Sequence, residues 1–158
     1  MTRLSEEEIN QTRDYFFSQG FPLRQVRVGG KDLSFFVLDA NLNPNLKNFA
    51  FVCVGNRHED RVVGVSEDVP KEFQKYWAFH EETEYVDIGE EVKGRCLLAL
   101  DKELAIVPEK IKPVYIPLRT QFFRDLVGYA EARPNNYSRE QVAEFVASRD
   151  KLNSIICA

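Results

Sequence analysis

Strand patterning and helix patterning occupy separate parts of this chain. Strand signals crowd into residues 23–65, and from Pro70 onward the apolar residues recur at helical spacing. Segregation of this kind reads as α+β, not as an alternating βαβ chain with a parallel sheet. Leu23–Val28 and Lys31–Leu38 flank Gly29-Gly30, the signature of a hairpin around a two-residue turn. Leu33, Phe35 and Val37 alternate with Ser34, Phe36 and Leu38, so both faces of that strand are rather apolar and it should be central or covered on both sides. After the turn-rich Asp39–Asn45 come an apolar strand over Phe49–Val54, a polar turn through Asp60 and a short strand over Arg61–Val65. Strands joined by short connections favour antiparallel neighbours. The expected architecture is an N-terminal helix, a four-stranded antiparallel sheet, then four helices packed on one face.

The helices carry their own punctuation. Ser5 and Glu8 form a capping box, Leu4 and Ile9 take the staple positions, and Gly20 closes the first helix. Ile9, Phe16 and Phe17 should dock it. Residues 70–107 read as two helices joined by a short loop, with Pro108 as the stop. Pro113 and Pro117 constrain the next connection, and a helix follows to about Ala132 with Leu118, Phe122, Leu126 and Tyr129 inward. Ser138 and Gln141 cap a last helix, whose inner face holds Val142, Phe145, Val146 and Leu152. At 158 residues the chain fits one domain, 1–158, large enough to bury a core without metal or disulfide.

Angular position singles out the central helix pair. At about 100° per residue, Phe73, Trp77, His80 and Glu84 fall within roughly 60° of arc, with Lys71, Lys75, Ala78 and Glu82 opposite. In the second helix Val92, Cys96, Leu100, Glu103 and Val107 share a face. An imidazole and two carboxylates therefore lie in stripes that should be buried. Buried charge is costly unless paired, hydrogen-bonded or metal-bound, so these groups are expected to meet. Arg95 or Arg119 is placed to neutralise Glu84 or Glu103.

His80-Glu81-x-x-Glu84 followed by Glu103 resembles the active-site layout of the gluzincin metallopeptidases, with Glu84 where that family has its second histidine. The resemblance implies His80, Glu84 and Glu103 as metal ligands and Glu81 as the base that activates water. Two anionic ligands and one imidazole lean from zinc towards manganese or iron. His58, in the polar turn, would be a further imidazole if that turn folded over the helix, and Cys96 a further ligand on the Glu103 face.

Other classes are poorly served. Lys plus Arg number 21 against 25 Asp plus Glu, without a basic cluster, so nucleic acid is not the expected partner. No run is long enough to span a bilayer, residues 1–11 lack the apolar run expected of a signal peptide, and neither GxxxxGK[ST] nor GxGxxG occurs. Cys53, Cys96 and Cys157 are odd in number and include no Cys-x-x-Cys, as suits reduced thiols in a cytoplasm. Cys53 sits in an apolar strand that disfavours a thiolate nucleophile. Two readings follow. The first is a cytoplasmic binding or interaction domain, non-catalytic and without cofactor, whose partner is a protein or small molecule and whose His–carboxylate cluster fixes helix register. The second is a divergent zincin-like hydrolase dependent on a divalent metal (zinc, manganese or iron).

Overall fold

The computed structural model describes residues 3–57, 60–89 and 91–156. Helix α1 (Glu6–Ser18) precedes strands β1 (Leu23–Val28), β2 (Lys31–Leu38), β3 (Ala50–Val54) and β4 (Arg61–Ser66). Helices α2 (Gln74–Glu82), α3 (Arg95–Ile106), α4 (Lys112–Glu131) and α5 (Arg139–Ile156) follow, and a π-helical turn over Thr83–Ile88 extends α2. The α+β order agrees with the segregated patterning. The Ser5–Glu8 capping box is formed in both directions, and Gly29 and Gly30 take the positive φ values that a tight hairpin turn requires.

The sheet is mixed, not purely antiparallel. Its order is β1-β2-β4-β3, and β2 runs parallel to β4 through Phe36↔Gly64 and Val37↔Val65. The connection after β2 is the reason. Asp39 accepts from the Asn41 amide at 2.8 Å to start a short 3₁₀ turn, and Asn48 adopts φ 59° at the far end. This excursion carries β3 past one strand position, and β4 returns into the gap as the antiparallel partner of β3. β2 is thus an interior strand, consistent with its two apolar faces.

The two sheet faces are covered by different helices. Phe16 of α1 meets Phe36 at 5.3 Å and Phe51 at 5.6 Å. Phe35 points to the opposite face, because successive strand residues alternate. There Arg24 stacks on it and hydrogen-bonds Gln74 of α2 at 2.9 Å. Phe17 touches Phe36 yet remains half exposed.

Helix α2 has the sheet on one side and α3 and α4 on the other. The face expected to meet solvent is consequently buried at Ala78 and Glu82. Glu82 is compensated by Arg61 of β4, whose Nε donates at 2.6 and 3.1 Å to its two oxygens. Tyr115 of α4 packs edge-on against Phe73, Tyr76 and Trp77 at 5.1–5.6 Å. Two boundaries differ from expectation. Val92 lies before α3 and is exposed, and α4 begins at Lys112 with Pro113 in its first turn and Pro117 inside it.

Gly64 is where β4 passes closest to its neighbour: a Cβ there would lie 2.5 Å from Leu38 Cδ1 and 2.8 Å from Leu38 Cγ. Gly64→Ala is expected to destabilise the fold by about 1–3 kcal/mol through overpacking. Urea denaturation should show a lower midpoint with an unchanged slope, and an unmoved midpoint would contradict this packing.

Candidate functional site

The site grows from four side chains on three helices. His80 is on α2 and Glu103 on α3, while Tyr115 and Arg119, four residues apart, share one face of α4. All four are buried, Glu103 completely. Arg119 grips the carboxylate with both ends of its fork, Nε to Oε2 at 2.9 Å and Nη2 to Oε1 at 2.8 Å. Tyr115 donates its hydroxyl to Oε2, and His80 Nδ1 lies 2.8 Å from Oε1. The guanidinium sits 4.1 Å from the centre of the Trp77 ring, so the cation is held by an aromatic face as well as by its anion.

Electrostatics follow from this geometry. Burial raises the pKa of Glu103, but the charges and hydrogen bonds of Arg119 and His80 outweigh it and hold the group at about 2. Glu103 is therefore the acceptor, and His80 Nδ1 carries the proton between them. Burial works against charge on His80, yet the Glu103 hydrogen bond and charge more than offset it and raise its pKa. The remaining nitrogen, Nε2, faces Cys96 Sγ at 3.8 Å. Burial and the nearby Glu84 charge keep the Cys96 thiol well above its ordinary pKa, with Ser148 Oγ donating to the sulfur at 3.5 Å.

Glu84 lies one helical turn after His80, at the start of the π-helical turn, and is buried with Thr83. Its carbonyl accepts from the Gly89 amide five residues on, at 3.1 Å. Turns of this type are frequent at functional sites. Glu84 is 5% exposed, and the buried side-chain atoms without a hydrogen-bond partner among the described residues are Asn48 Oδ1 and Thr83 Oγ1, not its carboxylate oxygens. Ligand atoms of His80, Glu84 and Cys96 lie within 4.8 Å of one another. Glu81 is partly exposed, and burial together with the Glu84 charge pushes its pKa up to about 7. A cavity of about 130 Å³ adjoins this cluster, bounded by His80, Glu81, Glu84, Cys96 and Arg119 with aromatic walls from Phe49, Phe122 and Phe123.

His80 and Glu103 thus meet as their stripes imply, and Arg119 is the neutralising cation. Glu84 joins them across His80 and not through Glu103, whose two oxygens are already occupied. His58 lies outside the described residues. Arg95 stacks on Tyr85 at 4.6 Å from the ring centre. Tyr115 was not visible as a site residue because Pro113 and Pro117 marked its surroundings as a connection. The signal for it was its spacing of four from Arg119.

Removing one partner of a buried ion pair leaves the other uncompensated. Glu103→Ala is expected to destabilise by about 3–5 kcal/mol. Because the pKa of Glu103 is depressed on folding, its contribution is complete above about pH 4.5 and is lost as pH falls towards 2. Subtracting the acid-unfolding curve of Glu103→Gln from that of the parent protein should isolate this slope, and parallel curves would refute it.

The chain matches no protein-family description, no curated protein and no solved structure.

Proposed function

We propose that this protein is a binding domain without catalysis of its own, which takes a small cationic ligand into the cavity beside His80. One observation carries the reading: the buried Glu84 lines a cavity together with His80 and Cys96, whose ligand atoms lie within 4.8 Å of its own. A ligand that brings positive charge into that cavity would meet a carboxylate on its wall. The cavity, at about 130 Å³, is similar to one of about 150 Å³ that admits benzene, so the space suits a small ligand. This favours the small-molecule form of the binding reading over a protein partner at this place. Cys53 and Cys96 are free thiols buried in the fold, which supports a reducing, cytoplasmic setting.

The zincin-like hydrolase is the second reading. Glu81, held at about 7, has the proton affinity of a general base working near neutrality. That mechanism with His80, Glu84 and Glu103 as ligands requires Glu103 to leave Arg119, Tyr115 and His80. The binding reading requires no such rearrangement.

The test uses chelator-treated protein. Glu84→Gln removes the carboxylate that the ligand would meet and is expected to leave the melting temperature of ligand-free protein near that of the parent. Small cations, methylammonium and divalent metal ions among them, should include at least one that stabilises the parent and not the variant. A variant that melts lower, in a protein that no cation stabilises, would overturn the proposal.

A further inference from the structure

We propose that His80 Nε2, Glu84 and Cys96 Sγ bind one zinc-class divalent cation, with Glu103 holding the imidazole from behind. This rests on the reading of Glu84 as an anion awaiting a cation, and it names the cation.

Three observations support the assignment. The donor set mixes imidazole nitrogen, thiol sulfur and carboxylate oxygen, all within 4.8 Å and all buried. Borderline-soft ions take this mixture, whereas calcium and magnesium prefer oxygen alone. An organic ammonium ion would gain nothing from the thiol. Second, the imidazole is oriented as metal-binding histidines are. Its far nitrogen bonds a carboxylate, which fixes the ring and leaves the near nitrogen for the ion. Arg119 and Tyr115 already donate to both oxygens of Glu103, so that carboxylate is an acceptor for Nδ1–H. Third, Glu84 is more than nine-tenths buried and lines the cavity that His80 and Cys96 also line.

Ligand atoms on one tetrahedral zinc, at roughly 2.0–2.3 Å from the ion, stand roughly 3.3–3.8 Å apart. The His80–Cys96 pair has that spacing at 3.8 Å, so closure falls to a rotation of the longer Glu84 side chain. Binding converts the Cys96 thiol to thiolate and releases its proton to solvent, together with the Nε2 proton from any imidazolium. No electrons are transferred.

Cobalt(II) titration of the reduced, chelator-treated full chain tests the proposal. One equivalent should produce a thiolate-to-cobalt charge-transfer band that zinc then abolishes. Cys96→Ser should remove the band, while Cys53→Ser and Cys157→Ser keep it. Glu103→Gln, checked for folding by circular dichroism, should retain the band with affinity weakened about 10–100-fold. A folded parent protein with no band, or a band that survives Cys96→Ser, overturns the metal assignment. If methylammonium nevertheless stabilises the protein in a Glu84-dependent way, the cationic-ligand reading survives and only the metal falls. If neither ligand acts, both fall.

Discussion

The bidentate pair between Glu103 and Arg119 is the constraint on which the helical half of this molecule depends. Each charge is buried, so neither is tolerable without the other. Their pairing sets the distance between α3 and α4, and Tyr115 and His80 complete the acceptor capacity of the carboxylate. The Trp77 ring beneath the guanidinium ties the pair to α2. Hydrophobic burial brings these helices together without direction; the ion pair specifies the register at which they stop.

A consequence is an asymmetric histidine. One side of His80 is committed to a fixed anion, and the other looks towards sulfur and a second carboxylate. The first side is complete, and its loss is felt as instability. The second side faces the cavity, where Glu84, one turn on from His80 in the same stripe, lies beside Cys96. A π-helical turn and a cluster of imidazole, thiol and carboxylate coincide at one cavity, and that coincidence is what points to a ligand.

Much of this was legible from periodicity alone. The convergence of His80 with Glu103 follows from ideal helical angles and the cost of burying charge, whereas the sequence offered Arg95 and Arg119 alike as the neutralising cation and the structure selects Arg119. Two physical facts were not. Helix α2 is sandwiched between sheet and helices, so both its stripes are buried; Glu82 was read as solvated because Arg61, its partner, comes from a strand whose position no local pattern encodes. The parallel β2–β4 pairing was likewise hidden, since it depends on how far the Asp39–Phe49 excursion travels and not on the composition of either strand. Glu84 lies inside as ideal helical angles place it; what periodicity does not show is the π-helical turn that follows, a feature with no hydrophobic signature.

The division of His80 into a committed and a free nitrogen can be observed directly. Nitrogen-15 NMR of the imidazole in ligand-free protein should show the proton fixed on Nδ1, hydrogen-bonded and slow to exchange, with Nε2 alone responding when a cation is added. A proton resident on Nε2 with Nδ1 bare would mean that Glu103 does not hold the ring, and the account of both the scaffold and the open site would fail.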